Sequence, residues 1–128
     1  MSYTLRIERI DGVISSEEWT KVVEQTEGVR LCAQEEHTTM LPHNGSMLTM
    51  KATPGDAEAF DDESQCWRFC FRMYDDSIQF NARVVYRALD GKDNDPMWKL
   101  VWSLAQRLQA SIIGEEGEVY GENAKAAV

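Results

Sequence analysis

The chain has little positive charge for its length and no long apolar run. Its 128 residues carry 13 Lys and Arg against 22 Asp and Glu, a formal net charge of −9. No apolar segment approaches the ~18 residues that a membrane span needs, and the N-terminal segment lacks the pattern of a secretory signal. Nucleic acid is a poor partner for such a chain, because phosphate neutralisation by basic residues supplies most non-specific affinity. We therefore expect a cytoplasmic protein with no membrane and no nucleic-acid partner.

Residues that could build a chemical site are also scarce. The chain contains three Cys and two His, with no phosphate-binding glycine loop, dinucleotide fingerprint or nucleophile elbow. Cys32, His37 and His43 match no zinc spacing, and Cys66 and Cys70 lie about 13 Å apart along one strand face, too far to share a metal or a disulfide. We predict no catalytic residues, no metal and no cofactor, and hence a protein that is not an enzyme.

The residues that are present predict two amphipathic helices. Ser15 and Glu18 form a capping box before residues 16–27, with Gly28 as the stop. Asp95 and Pro96 open a second helix with an apolar stripe that runs to Leu108. Such stripes are stable only when they pack on a sheet or on each other.

Alternating residues predict the strands. The segments 3–9, 29–35, 47–52, 66–73 and 78–85 alternate apolar and polar residues, and 111–113 is a short buried strand. Pairing Met73 with Ile78 and Trp67 with Val84 puts every apolar residue of that hairpin on one face. The interpretation is one α+β domain over residues 1–128, with a mostly antiparallel sheet of about five or six strands and two helices on one face. The order is β-α-β-β-β-β-α-β, with loop at 36–46, a mobile acidic loop at 53–65 and a frayed tail at 122–128.

The same register places four arginines on the outer face of the sheet: Arg68, Arg72, Arg83 and Arg87. Neutralisation by Glu8 or by the acidic loop is the favoured interpretation, because ion pairs between exposed groups form easily. An open contact surface is the alternative. Trp98 and Trp102 flank the stripe of the second helix, where packing in or beside the core is expected, and exposed tryptophans there would instead be interface anchors.

Both ends of the chain resemble a group of small bacterial proteins. Ile14-Ser15, Glu18-Trp19 and Val22 resemble their opening. The segment 104–120, ending in Gly-Glu-Glu-Gly-Glu-Val-Tyr, is similar to their closing motif L-A-x-x-L-G-A-x-V-x-G-D-(D/E)-G-E-x-Y. Gln109 stands where those proteins tend to have glycine, and Glu115 where they tend to have aspartate. Several of them look like immunity partners of polymorphic toxins of the Rhs, contact-dependent or type VI secretion systems.

The resemblance implies an immunity protein that binds and neutralises a cognate, basic toxin by protein–protein contact. An acidic surface would steer such an inhibitor to a basic toxin site and occlude it. The expected contact residues are Asp56, Glu58, Asp61, Asp62, Glu63, Glu115, Glu116 and Glu118. The alternatives are a small-molecule binding domain, with a pocket between helix and sheet, and a structural or oligomerising subunit that uses Trp98 and Trp102.

Overall fold

The computed structural model describes residues 3–32, 36–40, 47–51, 55–74, 76–91 and 95–127. In these ranges the strands are β1 (Thr4–Glu8), β2 (Val29–Leu31), β3 (Glu36–Met40), β4 (Met47–Lys51), β5 (Ala57–Asp61), β6 (Cys66–Tyr74), β7 (Ser77–Asn81), β8 (Ser111–Gly114), β9 (Val119–Tyr120) and β10 (Ala126–Ala127). The helices are α1 (Ser16–Gln25), α2 (Tyr86–Leu89) and α3 (Pro96–Arg107), and a single 3₁₀ turn spans Ala82–Val85.

The strands form one antiparallel sheet of eight strands, in the order β10-β9-β8-β1-β7-β6-β5-β2, while β3 and β4 pair only with each other in the described ranges. The α+β class is confirmed, and the sheet is larger than the expected five or six strands. β1 lies in the interior of the sheet, where Leu5 pairs with Phe80 on one side and with Gly114 on the other. The two ends of the sequence therefore meet in the middle of the fold.

Both long helices begin and end as their sequences indicate. Ser15 caps α1, its hydroxyl accepting a hydrogen bond from the Glu18 N–H, and the reciprocal bond from the Ser15 N–H to the Glu18 carboxylate completes the capping box. Asp95 caps α3 with Pro96 in the first turn. The apolar faces of α1, α3 and the sheet join in a single core, with Trp19, Leu104 and Ile112 fully buried.

The C-terminus of α3 explains a preference of the motif. Gln109 takes φ +52°, in the left-handed region that favours glycine. Its N–H bonds to the carbonyl of Gln106, and the Ala110 N–H bonds to that of Ala105. This is the Schellman arrangement, in which the residue after the helix must turn left-handed. The resembling proteins tend to carry glycine at this position.

The β6–β7 hairpin keeps the expected register but not the expected length. Met73 pairs with Ile78 as predicted. However, β7 ends at Asn81, whose side-chain oxygen accepts a hydrogen bond of 2.9 Å from the Arg83 N–H and starts the 3₁₀ turn. The predicted continuation to Val85 is therefore wrong, because this cap diverts the chain from the sheet.

A β-bulge in β6 contradicts the expectation that all apolar side chains of this strand lie on one face of the sheet. Ala57 pairs with Phe71, but Glu58 pairs with Phe69, so one extra residue on β6 has no counterpart on β5. Such an insertion reverses which face the following side chains occupy. Phe71 is fully buried in the core, whereas Trp67 and Phe69 turn to the opposite face of the sheet.

Three further expectations are corrected. The acidic loop at 53–65 contains β5, because Ala57 and Ala59 alternate with Glu58 and bury their small side chains in the core. The loop expected at 36–46 contains β3, and β10 pairs with β9 within the tail expected to fray. Residues 33–35, 41–46, 52–54, 75, 92–94 and 128 lie outside the described ranges, and with them His43, Pro42 and the Asp75 half of the expected tight turn.

Candidate partner-binding surface

The closing motif builds a compact turn between β8 and β9. The Gly114 N–H donates to the Glu118 carbonyl at 2.9 Å, and the Gly117 N–H donates to the Gly114 carbonyl at 3.0 Å. The Glu118 side chain folds back over Gly114, where a Cβ atom would lie 2.1 Å from its Oε1. Any side chain at position 114 would therefore displace the Glu118 carboxylate.

Glu118 is half-buried and has a structural role within the fold. Its Oε2 accepts a hydrogen bond of 2.5 Å from the Tyr3 phenol, and its Oε1 accepts one of 3.2 Å from the Glu116 N–H. The hydrogen bond from Tyr3 lowers the pKa of Glu118, and the same bond raises the pKa of Tyr3 to about 12. The Glu118 carboxylate ties the 114–118 turn to the start of β1, and its contact with a partner stays a prediction.

Glu115 and Glu116 remain at the surface of this turn. Both are exposed, and Glu115 Oε2 accepts a hydrogen bond of 3.0 Å from the Thr4 N–H. That contact fixes the orientation of the Glu115 carboxylate while leaving it open to solvent. Both residues lie at the surface, and their contact with a partner stays a prediction.

The acidic residues of the second segment are mostly paired with arginines. Asp56 is 2% exposed and pairs with Arg72 at 3.1 Å, which corrects its expected role as a surface contact. The other pairs are Arg30–Glu58 at 2.5 Å, Arg68–Asp61 at 3.1 Å and Arg87–Glu63. Asp62 is exposed, and no side-chain partner is found for it among the described residues. Most of the charge of segment 56–63 is thus balanced by arginines, and Asp62 stays exposed.

Ion pairs within the chain neutralise three of the four arginines that were expected on the outer face of the sheet. Arg68, Arg72 and Arg87 are each paired with a carboxylate of the 56–63 segment, and Arg6 pairs with Glu8 at 3.1 Å. The favoured interpretation is therefore confirmed for these residues. Arg83 differs, because the 3₁₀ turn carries it off the sheet and leaves it exposed without an ion pair in the described part of the chain.

A cavity of about 420 Å³ opens beside these pairs. One wall is the β5–β6 end, with Arg68 and Cys70, and the other is formed by Val84, Tyr86 and Met97. Asp62 and Glu63 lie at its lining as well. Its volume lies within the range of sites that bind small ligands.

A second, shallower hollow of about 240 Å³ continues this surface. It is lined by Tyr3, Asn81, Leu89 and Asp90, and it shares Arg83 and Tyr86 with the larger cavity. We call the two together the Tyr86 groove. Asp62 lines the larger hollow, and Tyr3, whose phenol bonds the 114–118 turn, lines the smaller one.

Tyr86 is the most prominent side chain of this groove. It is 47% exposed although it is a large aromatic residue, and the Arg87 Nε donates to its hydroxyl at 3.2 Å. Tyrosine and arginine are the residue types that most often dominate binding energy at protein interfaces. Alternation predicted a strand over residues 78–85, immediately before Tyr86, and so did not indicate the groove.

The outer face of the sheet holds a second feature that the sequence did not indicate. Arg30 lies over the Trp67 ring at 4.0 Å, and Trp67 packs edge-to-face on Phe60 with ring centroids 5.6 Å apart. These contacts exist because the bulge in β6 turns Trp67 to the face that carries Arg30. The Arg30 guanidinium therefore has two partners, the Trp67 ring and the Glu58 carboxylate.

The partly buried thiols of Cys32 and Cys70 are poorly suited to nucleophilic chemistry. Burial raises the pKa of both Cys32 and Cys70 to about 11. Cys66 is exposed beside the Ser64 hydroxyl at 3.0 Å. In the described ranges, no three His, Cys, Asp or Glu side chains are grouped as a metal would require, and no helix there has the length and apolarity to cross a bilayer.

Trp98 is 5% exposed, its indole N–H bonds the Glu122 carbonyl at 2.8 Å, and its ring packs edge-to-face on Tyr120. The expected packing of Trp98 in the core is therefore confirmed. Trp102 is partly buried and also packs against the core, so the two tryptophans do not form the exposed surface that the alternative interpretation needed.

Comparison of the chain with protein-family models, with curated proteins and with solved structures finds no match in any of the three.

Proposed function

We propose that this protein is a cytoplasmic immunity protein that binds a cognate, basic toxin through the Tyr86 groove and exposed carboxylates. The observation that supports the proposal is the exposure of Tyr86 and Arg83, which line both hollows of the groove, with Asp62 in the lining of the larger one. A central aromatic and arginine pair with a charged rim is the usual anatomy of a protein interface.

The charge of the chain supports a basic partner. After the internal pairs are removed, the groove carries the charges of Asp62 and Asp90 against Arg83, while Glu115 and Glu116 are exposed on the 114–118 turn that Tyr3 contacts. A net charge of −9 would steer a cationic protein to this surface and raise its association rate.

The resemblance of the closing motif agrees with a binding role but does not mark the contact residues. Gly114, Gly117, Glu118 and position 109 each have a structural role in a turn or a helix end. What the motif shares with the immunity-like proteins is therefore a scaffold. Specificity for one toxin would come from exposed side chains such as Asp62 and Tyr86, which lie outside the motif.

The test is association with the protein encoded by the neighbouring gene, measured at about 50 mM and about 500 mM salt, where the screening length differs severalfold. We expect the association rate to fall by roughly tenfold or more at high salt. Asp62→Lys with Glu116→Lys should slow association in the same way. The control is Glu24→Lys with Glu27→Lys, an equal charge change on and just after α1. Equal effects of both double variants, or a rate independent of salt, would reject the acidic surface as the contact.

A second candidate function is small-molecule binding, which the 420 Å³ cavity favours. Its lining combines Val84 and Met97 with the guanidiniums of Arg68 and Arg87, a mixture typical of ligand sites. A thermal-shift screen with metabolites separates the two functions. One compound that gives a saturable shift, abolished by Met97→Trp, would favour the small molecule over the toxin.

A further inference from the structure

Most of the charged side chains that line the 420 Å³ cavity already have partners within the chain. In the described part of the chain, four of the lining residues form two ion pairs: Arg68 with Asp61, and Arg87 with Glu63. A fifth, the buried Asp95, accepts hydrogen bonds from the N–H groups of Met97 and Ala88. The charged lining residues that remain are one carboxylate and one guanidinium, those of Asp62 and Arg83.

Asp62 and Arg83 share the cavity without contacting each other. Both are exposed, and no ion pair or side-chain hydrogen bond is found for either of them among the described residues. The Arg87–Glu63 pair connects the two segments that carry them, since Arg83 precedes Arg87 in the chain and Asp62 precedes Glu63. Asp90, the further exposed carboxylate of the Tyr86 groove, lines only the smaller hollow and does not pair with Arg83.

The uncharged part of the lining is apolar or aromatic. It includes side chains from both walls: Phe60, Phe69, Val84, Tyr86, Pro96 and Met97. Sites for small molecules combine such walls with a few polar groups that fix the orientation of the ligand. A ligand that matches this cavity therefore carries an apolar body, one negative group for Arg83 and one positive group for Asp62.

We propose that the cavity binds a small zwitterion with an apolar body, namely an amino acid with a large apolar side chain or a short peptide of such residues with free ends. The ligand carboxylate accepts hydrogen bonds from the Arg83 guanidinium, and the ligand ammonium donates to the Asp62 carboxylate. A purely anionic ligand would be repelled by Asp62, and a purely cationic ligand by Arg83. This inference rests on the second candidate function, ligand binding in the cavity, and does not depend on toxin binding.

Two defined probes test the proposal, the free amino acid L-phenylalanine and the dipeptide leucyl-phenylalanine with both ends free. Each is titrated into the full-length protein, and binding is followed by amide chemical shifts. We expect saturable shifts in residues 61–63 and 83–87 with at least one probe, and the tighter probe reports the spacing of the two charges. Shifts confined to other elements, or no shifts at millimolar concentrations of either probe, would overturn the proposal.

Modified probes separate recognition of the charges from simple apolar binding. N-acetylation removes the positive charge of the probe, and C-terminal amidation removes the negative charge, while both keep the apolar body. We expect each modification to weaken binding by roughly tenfold or more, because a charge-assisted hydrogen bond is lost. If either modified probe binds as well as its parent, the zwitterion proposal is wrong, although ligand binding in the cavity stands. If no compound of the thermal-shift screen binds either, the second candidate function fails as well.

Protein variants identify which side chain recognises which charge. Arg83→Gln should weaken the zwitterion by roughly tenfold but leave the amidated probe unchanged, and Asp62→Asn should do the same for the zwitterion and the N-acetylated probe. The controls are Lys21→Gln and Glu24→Gln, which make the same charge changes on α1 and should leave all affinities unchanged. If Arg83→Gln weakens the amidated probe as much as its parent, the guanidinium does not bind the ligand carboxylate and the proposal fails.

Discussion

The phenol of Tyr3 donates a hydrogen bond of 2.5 Å to the carboxylate of Glu118, 115 positions further along the chain. This contact connects the beginning of β1 to the turn between β8 and β9, beside the point where Leu5 pairs with Gly114. The acidic motif Gly-Glu-Glu-Gly-Glu is therefore partly a clamp for the N-terminal strand. Only its Glu115 and Glu116 extend outward.

Gly114→Ala should destabilise the fold by about 1–3 kcal/mol, because the added methyl group meets the Glu118 carboxylate and displaces it from Tyr3. The measurement is the free energy of unfolding in urea. In a Glu118→Ala background the same change should cost much less, since the clash with the carboxylate is gone and the Tyr3 hydroxyl, which the new Cβ would meet at 2.7 Å, has lost its partner and can move away. Equal costs in the two backgrounds would show that the carboxylate does not occupy this place.

Gln109→Gly should stabilise the protein by about 0.5–1 kcal/mol, because position 109 adopts φ +52° and a side chain there is strained. Glycine also loses more backbone entropy on folding, which limits the gain. Thermal unfolding measures the effect. Gln106→Gly, three residues earlier within α3, is the opposite control and should destabilise by about 1 kcal/mol.

The stability of the protein should fall in acid partly through Glu18. The hydrogen bond from Arg9 lowers the pKa of Glu18 from 4.5 to about 2. A lowered pKa in the folded state means that the ionised carboxylate stabilises the fold above pH 4.5 and that this contribution is lost as the pH falls toward 2. Glu18→Gln should therefore be less stable than the wild type at neutral pH.

The stability curves of Glu18→Gln and the wild type should converge between pH 4.5 and 2, measured as urea midpoints at each pH. Glu17→Gln, an exposed neighbour in the same first turn, serves as control and should follow the wild type throughout. A constant gap between Glu18→Gln and the wild type across this range would contradict the ion pair.

Asp95→Ala should cost about 2–4 kcal/mol, because one buried carboxylate satisfies two separate N–H groups. Oδ1 accepts from the Met97 N–H at 3.0 Å and Oδ2 accepts from the Ala88 N–H at 3.1 Å, so the residue joins α2 to α3. Asp95→Asn keeps one acceptor and should cost about half as much. Asp90→Ala, exposed at the end of α2, should change the free energy of unfolding by less than about 0.5 kcal/mol.

The sequence predicted those features that local chemistry determines. The capping box at Ser15, the cap and proline before α3, and the pairing of Met73 with Ile78 each depend on a few adjacent residues, and all are present. The acidic composition of segment 53–65 predicts an exposed loop because no compensating basic residue lies nearby in the sequence. The structure supplies those basic residues from other strands, since Glu58 pairs with Arg30 of β2 and Asp61 pairs with Arg68 of β6. Pairing across strands is not visible in a local window.

The candidate site could not be predicted for the same reason. The groove exists because Asn81 caps the 3₁₀ turn instead of continuing β7, although Ala82 and Val84 extend the alternation perfectly. The bulge opposite Ala57 and Glu58 likewise leaves no mark in the alternation of Trp67, Phe69 and Phe71. The cap at Asn81 and the bulge in β6 each replace a locally plausible continuation of the strand. Which of the two local conformations forms is decided by the packing of the whole fold.

The interior position of β1 also determines how the chain can acquire its structure during synthesis. Its two neighbours, β7 and β8, come from positions 77–81 and 111–114, so β1 must wait for segments that are synthesised well after it. Long loops must close before those pairings form, which makes such topologies slow to fold. A nascent chain that has emerged only as far as α3 would therefore hold an incomplete sheet. Separately produced halves divided near position 92 should remain unstructured alone and recover native spectra only when they are mixed.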